Sequence, residues 1–224
     1  MPEPAYPLII SVEGNIGSGK STLVRDLQSM LGSSPTLFGR TVMFLQEPVE
    51  IWNDTKDRNG ESILSKFYAD QNKYAFPFQM MAYISRQSSI NKAMTEHPNG
   101  IIITERCIHT DKHVFAKMLF DDDKIEDINY QIYDMWFDEF SNKSRYAGHV
   151  YLEATPDTCA SRIVKRGRAG EAIPREYLAR CNEYHDAWLD DCSNILRLDA
   201  NRDTDNKENC VSVLSFVEMI ANGN

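Results

Sequence analysis

The chain has 224 residues, with 24 Lys and Arg against 33 Asp and Glu, which gives a formal net charge of −9. A hydrophobic fraction of 42% with 25% charged residues is typical of a globular protein, and no apolar stretch approaches the roughly 20 residues of a membrane span. The acidic balance disfavours tracking along a phosphate backbone, so we expect neither a membrane nor polymeric nucleic acid as a partner.

The N-terminal residues and the cysteines bear on domain organisation and location. The first seven residues show neither the basic nor the Arg-rich pattern of a targeting segment. The five cysteines are odd in number and include no Cys-x-x-Cys pair, so the sequence predicts neither a disulfide framework nor a zinc site. We therefore expect a single domain over residues 1–224 in a reducing cytoplasm.

Short apolar runs alternate with segments of helical period along the chain. Buried parallel strands are predicted at residues 8–12, 42–45, 101–104, 149–152 and 195–198. Helices are predicted from the glycine-rich loop to about residue 31, then at about 78–95, 156–166 and 175–191, the last being the final helix. Residues 121–123 and 201–209 are predicted loops. This order predicts an α/β fold of the P-loop NTPase type, with a five-stranded parallel sheet flanked by helices.

A glycine-rich motif follows the first predicted strand directly. Residues 14–21 match the Gly-x-x-x-x-Gly-Lys-[Ser/Thr] pattern of a P-loop and open a predicted helix. The glycines let backbone N–H groups turn toward phosphate oxygens, and the helix N-terminus adds a favourable dipole. Lys20 is expected to reach the β and γ phosphates, and Ser21 to offer a hydroxyl to Mg²⁺. The predicted nucleotide-binding residues are Gly14, Asn15, Ile16, Gly17, Ser18, Gly19, Lys20, Ser21 and Thr22.

Three charged residues follow predicted strands, at the sheet edge where parallel α/β folds bind ligands. Glu47 precedes Pro48, which favours an extended conformation at the end of the second strand. A carboxylate there is placed to accept the proton of a substrate hydroxyl during phosphoryl transfer. Glu105 and Arg106 follow the third strand. The acid is expected to hold Mg²⁺, and the arginine to steady the substrate oxygen and the transferring phosphoryl group.

A basic segment follows the predicted helix 156–166. Residues 162–168 include four basic residues in an otherwise acidic chain, and glycines lie beside them. Fixed cations stabilise the charge that spreads over the transferring phosphoryl group, and mobile segments supply them in many kinases. We predict an Arg-rich lid over about residues 166–173, with Arg166 and Arg168 as its catalytic cations.

Several motifs make the chain resemble the deoxyribonucleoside kinase family over about residues 8–199. They are Glu-Gly-Asn-Ile at residues 13–16, Glu-Pro-Val at 47–49, Phe-x-Phe-Gln at 76–79, Glu-Arg at 105–106 and Arg-Gly-Arg at 166–168. The resemblance implies a kinase that uses ATP and Mg²⁺ to phosphorylate the 5′-hydroxyl of a deoxyribonucleoside. It also implies a homodimer.

The resemblance assigns roles to particular positions. Glu47 matches the general base, Arg106 the arginine at the 5′ end of the sugar, and Ser21 with Glu105 the surroundings of the magnesium ion. The residues that match the substrate-binding set are Tyr68 and Glu171 on the sugar 3′-hydroxyl, Gln79 on the base edge, and Trp52, Phe78 and Phe115 as aromatic walls. These residue types suit the task, because a Gln amide offers one donor and one acceptor and aromatic faces stack on any base.

Arg86 and Asp111 bear on the choice of nucleoside. Thymidine-accepting members resemble one another in carrying an apolar or small pair there, whereas deoxycytidine and purine kinases resemble this chain in carrying Arg and Asp. A charged pair would fill the space that the thymine methyl needs. The sequence thus predicts deoxycytidine and purine deoxynucleosides over thymidine.

Two alternatives stay open at this point. A thymidylate-type nucleoside monophosphate kinase would share the fold, the P-loop and the lid, but it would need a further cation for the acceptor's phosphate. A non-catalytic scaffold of the same fold is disfavoured because Lys20, Ser21, Glu47, Glu105 and Arg106 are all present. His109 and His113 share a helical spacing, but no third ligand is evident from the sequence, and no metal site is predicted there.

Overall fold

The computed structural model describes residues 6–141, 144–168, 171, 173–202 and 206–223. Residues 169, 170 and 172 of the predicted lid lie outside this part of the chain. None of the helices in the described residues combines the length and the apolar character of a membrane-spanning segment.

A single sheet organises the described part of the chain. It has six strands in the order β2-β3-β4-β1-β5-β6. The strands are β1 (Leu8–Gly14), β2 (Thr36–Leu37), β3 (Arg40–Leu45), β4 (Ile101–Glu105), β5 (Tyr146–Glu153) and β6 (Ile195–Asp199). The five predicted strands are confirmed as parallel neighbours, with Ile10 of β1 between Ile103 of β4 and Gly148 of β5.

The sixth strand, β2, was not predicted. It pairs antiparallel with β3 through a turn at Phe38 and Gly39, whose φ angles are 53° and 75°. Two residues are too few to show an alternating apolar pattern, which explains why the sequence gives no signal for β2.

Helices connect the strands and cover both faces of the sheet. They are α1 (Lys20–Leu31), α2 (Val49–Asp54), α3 (Ile63–Ala69), α4 (Gln71–Glu96), α5 (Ile108–Thr110), α6 (Lys117–Asp121), α7 (Asp127–Ser141), α8 (Pro156–Arg166), α9 (Arg175–Leu189) and α10 (Lys207–Gly223), with a π-helical segment at Asp111–Ala116 between α5 and α6.

One predicted helix boundary is wrong, and one helix was not predicted. Helix α4 begins at Gln71 rather than near residue 78, because Asp70 caps it by accepting a hydrogen bond from the Lys73 N–H, and Pro77 lies inside it. Helix α9 is not the final helix, since α10 begins inside the predicted loop 201–209. Helix α10 forms because it buries an apolar face that includes Val213 and Val217.

The start of α8 agrees with its prediction in detail. Thr155 accepts a hydrogen bond from the Thr158 N–H, Pro156 is the first helical residue, and Gly167 ends the helix with φ of 63°. Left-handed backbone of this kind favours glycine at a helix C-terminus.

The core lies on both sides of β1, whose seven residues are all buried. Ile10 and Val12 face α1 and α10, and Ile9 packs against Ile90 of α4 on the opposite face. Burying each such side chain contributes about 1.5–3 kcal/mol. This packing holds the carboxyl ends of β1, β3 and β4 together, and the P-loop, Glu47 and Glu105 follow there.

Candidate active site

The P-loop needs glycine at two of its positions. Gly14 has φ of 137°, and a Cβ atom there would lie 2.7 Å from the Leu152 carbonyl oxygen. Gly17 has φ of 84°, and its Cβ would lie 2.7 Å from the Cys159 carbonyl oxygen. Both contacts would be with backbone, which cannot move aside easily. The loop can therefore curve tightly against β5 and α8 only with these residues.

Lys20 is buried within this loop. Its Nζ donates a 2.7 Å hydrogen bond to the Asn15 carbonyl oxygen. Burial lowers the pKa of Lys20 to about 7, and the positive charge of Arg106 adds to the effect. An anion at the loop would favour the charged form of this lysine.

The side chain of Asn15, a predicted nucleotide-binding residue, turns away from the cavity toward α9. Its Nδ2 donates to the Leu178 carbonyl oxygen at 2.8 Å and to Asn182 Oδ1 at 2.5 Å. The side chain anchors the loop to α9. Gly14 and Asn15 are the two predicted nucleotide-binding residues that do not line the cavity, whereas residues 16–22 all do.

Two arginines hold Glu47. Its Oε1 accepts hydrogen bonds from Arg86 Nη2 at 2.9 Å and from Arg106 Nε at 3.2 Å. Burial opposes ionisation of the carboxyl, but the charges of Arg106, Arg86 and Lys20 outweigh it and lower the pKa of Glu47 to about 2. With 20% of its side chain exposed to the cavity, Glu47 is a carboxylate at neutral pH that a second molecule can still reach.

Arg106 connects the Glu47 carboxylate to the P-loop. Its Nη1 donates a 2.7 Å hydrogen bond to the Gly14 carbonyl oxygen, and its backbone has a left-handed φ of 61°. Such a conformation costs a non-glycine residue roughly 1–3 kcal/mol, and it is typical of functional sites.

His185 of α9 also supports Arg106, a contact that no sequence pattern indicated. His185 Nδ1 lies 2.6 Å from the Cys181 carbonyl oxygen, which can only accept, so Nδ1 carries the proton. His185 Nε2 is then the acceptor for Arg106 Nη1 at 3.4 Å. Burial lowers the pKa of His185 well below its usual range, and Arg106 adds to the effect, so the ring stays neutral.

Ser21 and Glu105 form an oxygen-rich corner beside the P-loop. Ser21 Oγ donates a 2.7 Å hydrogen bond to Glu105 Oε1, and both residues line the cavity. A hydroxyl and a carboxylate are hard oxygen donors of the kind that Mg²⁺ prefers, so these residues fit a magnesium ion.

The cavity in front of these groups has a volume of about 1210 Å³. A single small-molecule site usually occupies roughly 300–1,000 Å³, so two substrates fit side by side. It extends from the P-loop to Trp52, Tyr68 and Gln79. Gln79 is buried, and its Oε1 has no hydrogen-bond partner in the described residues. An amide oxygen left in this way is ready to accept a hydrogen bond from a ligand.

Aromatic rings form the walls around Gln79. Trp52 packs edge-on against Phe78 with ring centroids 5.4 Å apart, and Phe78 stacks on Phe67 at 4.5 Å. Phe115 instead lies against Arg106, with the guanidinium carbon 4.9 Å from the centre of the Phe115 ring. All three predicted aromatic residues line the cavity, and Phe67 is an additional one.

Arg86 and Asp111 form a buried ion pair at the cavity wall. Arg86 donates from Nε to Asp111 Oδ2 at 2.9 Å and from Nη2 to Asp111 Oδ1 at 3.3 Å. Its Nη1 donates to the Glu105 carbonyl oxygen at 3.0 Å. Because Arg86 also contacts Glu47, the pair predicted to select the nucleoside is connected directly to the predicted base.

The described part of the predicted lid contributes to the same cavity. Arg166, Arg168 and Glu171 line it, and Glu171 Oε1 accepts a 2.5 Å hydrogen bond from Arg166 Nη2. Burial raises the pKa of Tyr68, and the nearby Glu171 carboxylate raises it further. Tyr68 and Glu171 both line this cavity, and the Glu171 carboxylate is hydrogen-bonded to Arg166.

Four other polar or charged residues that line the cavity were not predicted. One lies on α1, and the other three lie between the end of β6 and the first turn of α10, where the sequence predicted a loop. They are Arg25, Arg202, Asn206 and Asn209.

A parallel sheet in the order β3-β4-β1-β5-β6, a P-loop after β1 and carboxylates at the ends of β3 and β4 define a P-loop kinase. The sequence profile of the deoxynucleoside kinase family matches residues 10–220. The chain belongs to this family and is a deoxynucleoside kinase.

Individual relatives agree with the family match. Human deoxycytidine kinase is 31% identical over 201 residues, which cover 80% of this chain and 74% of the relative. A probable deoxycytidine kinase of fowlpox virus (strain NVSL) is 34% identical over 184 residues, which cover 80% of this chain and 71% of the relative. A putative kinase protein of Invertebrate iridescent virus 3 is 32% identical over 195 residues, which cover 87% of this chain and 89% of the relative.

Proposed function

We propose that this kinase transfers the γ-phosphoryl group of ATP to the 5′-hydroxyl of deoxycytidine and purine deoxynucleosides in preference to thymidine. One observation carries the proposal. The Glu47 carboxylate lies in a single cavity between the P-loop and the chamber around Gln79, and Arg86 and Arg106 both bind it. A nucleoside bound in that chamber would bring its hydroxyl between the carboxylate and the phosphates.

Each residue then has a chemical task. Glu47 accepts a hydrogen bond from the 5′-hydroxyl and takes its proton as the oxygen bonds to phosphorus, when the hydroxyl has become strongly acidic. A pKa near 2 keeps Glu47 ionised for that step. Arg106 and the lid cations Arg166 and Arg168 stabilise the equatorial oxygens of the transferring group.

The nucleotide binds at the other end of the cavity. The N–H groups of the P-loop and Lys20 hold the β and γ phosphates. Ser21 and Glu105 would hold Mg²⁺, which neutralises charge on the triphosphate. Keeping these cations in fixed positions before the reaction reduces the reorganisation that the transition state requires.

We expect the affinity for ATP to fall as the pH rises above 7. Bound phosphates favour charged Lys20, whose pKa near 7 in the free protein means that binding requires proton uptake at higher pH. Between about pH 7.5 and 9, where the triphosphate itself is fully ionised, Kd should rise roughly ten-fold or more. Titration calorimetry measures it. The Lys20→Met variant should bind weakly without this rise, and a constant Kd in the native protein would contradict the role of Lys20.

The nucleoside chamber carries the predicted preference. Arg86 and Asp111 occupy the wall beside Gln79, and their charges would meet the thymine methyl group with unfavourable desolvation. Tyr68 and Glu171 line the same cavity, and a phenol with a carboxylate is suited to the sugar 3′-hydroxyl. Tyr68, Gln79 and Trp52 are uncharged side chains, which suits an acceptor that carries no phosphate group.

Steady-state kinetics with ATP and Mg²⁺ on the four deoxynucleosides and their monophosphates tests the proposal. We expect deoxycytidine or a purine deoxynucleoside to give the highest kcat/KM, with thymidine roughly ten-fold or more lower. Highest turnover of thymidine would overturn the proposed preference. Turnover of the monophosphates but not of the nucleosides would identify a nucleoside monophosphate kinase instead.

We further propose a cytoplasmic homodimer. Its support is an apolar surface on α7, where Ile128, Met135, Trp136 and Phe140 are exposed, and on the neighbouring α4, where Ile84 is exposed. Exposed apolar patches of this kind mark protein interfaces. Sedimentation velocity would give a monomer mass if this proposal is wrong.

A further inference from the structure

Three potential metal ligands meet on the face of the sheet that carries α4. Glu13 lies on β1, Cys107 follows β4 immediately after Arg106, and His149 lies on β5. One ligand atom from each of the three side chains lies within 4.8 Å of those from the other two. The strand register explains the meeting, because Ser11 pairs with His149 and places His149 on the same face as Ser11 and Glu13.

Two hydroxyl groups orient this cluster. Thr110 Oγ1 donates a 2.6 Å hydrogen bond to Glu13 Oε2, and Ser11 Oγ lies 2.7 Å from His149 Nδ1. These contacts use one carboxylate oxygen of Glu13 and one ring nitrogen of His149, so each group keeps a second atom for a metal ion. Metal-binding His and carboxylate residues are held in this way, with the remote atom of each group hydrogen-bonded to a neighbour.

The cluster without a bound ion carries a cost in folding free energy. Glu13 and Cys107 have no solvent exposure, and Glu13 Oε1 has no hydrogen-bond partner among the described residues. An unsatisfied buried polar atom costs about 1–3 kcal/mol, and more when it carries charge. Neither the phosphoryl transfer nor the P-loop uses these side chains, so the proposed kinase mechanism does not account for the arrangement.

From this geometry, we propose that Glu13, Cys107 and His149 bind one zinc ion, with a water molecule as the fourth ligand. The Cys107 thiol loses its proton to solvent on binding, so one thiolate and one carboxylate balance the charge of the divalent ion. A thiolate and an imidazole favour zinc over magnesium. Tetrahedral zinc separates its ligand atoms by about 3.3–3.8 Å. Because the present separations are at most 4.8 Å, the three groups need to approach by no more than about 1.5 Å.

The position of the site would let an ion enter from solvent and would place it behind the proposed catalytic groups. His149 is partly exposed, which leaves an opening to solvent beside two buried ligands. Glu13 immediately precedes Gly14 of the P-loop, and Cys107 immediately follows Arg106. A bound ion would therefore connect β1, β5 and the chain after β4 directly behind the proposed catalytic groups.

Cobalt titration of the full-length protein tests the site. The protein is prepared without a polyhistidine tag, stripped with a chelator and held in excess Mg²⁺, which occupies oxygen-only sites. We expect one equivalent of Co²⁺ to produce a thiolate-to-cobalt charge-transfer band that Zn²⁺ abolishes. The absence of this band in the native protein would overturn the proposal.

Variants identify the ligands. Cys107→Ser and His149→Gln should lose the band, whereas the matched controls Cys192→Ser and His97→Gln should keep it. Ser11→Ala should weaken Co²⁺ affinity about 10- to 100-fold, because Ser11 only orients His149. Circular dichroism checks that each variant is folded. A band that persists in folded Cys107→Ser would show that another thiol binds the metal and would overturn the assignment.

Discussion

Glu47→Gln is expected to lower kcat by about 10²- to 10⁴-fold while leaving the Kd for ATP close to that of the native protein. The amide keeps the size of the side chain but cannot accept a proton from the 5′-hydroxyl. It also removes the charge to which Arg86 and Arg106 donate hydrogen bonds. Initial-rate kinetics with deoxycytidine and calorimetry with ATP measure the two quantities.

A matched control separates the base role from a general loss of acidic charge. Glu139→Gln changes an exposed residue of α7 in the same chemical way, and it should leave kcat unchanged. If Glu47→Gln turns over at the native rate, Glu47 is not the base. If the affinity of Glu47→Gln for ATP falls by as large a factor as its kcat, the carboxylate acts mainly by holding Arg106 against the P-loop.

Arg86→Met is expected to reduce the free energy of unfolding by about 3–5 kcal/mol, the cost of leaving a buried charge without its partner. Asp111 is buried, and both of its carboxylate oxygens accept from Arg86. Adding Asp111→Ala removes the stranded charge, so the double variant should recover most of the loss. Urea unfolding of the native protein, both single variants and the double variant gives the coupling between the two residues.

The pH dependence of Arg86→Met supplies a second measurement. Burial raises the pKa of Asp111, and Arg86 opposes the rise, so removing the arginine raises that pKa further. The folded variant then binds a proton more readily than the unfolded chain, and acid stabilises it relative to neutral pH. We expect the deficit in unfolding free energy to shrink as the pH falls from about 7 to 5. A deficit that is constant with pH would mean that Asp111 is not the stranded group.

The same double variant tests the choice of nucleoside. Replacing Arg86 by Met and Asp111 by Ala opens an apolar space beside Gln79, where the thymine methyl would fit. Its ratio of kcat/KM for thymidine over deoxycytidine should rise roughly ten-fold or more. No gain would count against the pair as the selecting element, provided that the variant is folded.

The sequence predicts those features of the fold that depend on local patterns. The P-loop, the parallel strands and the limits of α8 are encoded by neighbouring residues, such as Thr155 with Pro156 at the start of α8 and Gly167 at its end. Helix α10 was missed because the polar stretch before it resembles a loop, and its apolar face only gains meaning against the sheet.

Contacts between distant residues could not be predicted in the same way. Asn15 belongs to a phosphate-binding motif, yet its side chain binds α9, and His185 reaches Arg106 from the same helix. Cys107 and His149 match no metal-binding spacing, because strand register rather than sequence distance brings them to Glu13. Long-range packing determines each of these contacts, and no local pattern reports it.

The two contacts of Arg106 have a consequence for the alignment of the substrates. One guanidinium group binds both the carbonyl oxygen of Gly14 and the carboxylate of Glu47. The loop proposed for the donor and the proposed base are therefore joined by a single stiff, planar bridge. In the proposed mechanism, the distance between the base and the donor loop is therefore set before either substrate binds, and the lid cations Arg166 and Arg168 act on a site whose base is already in position.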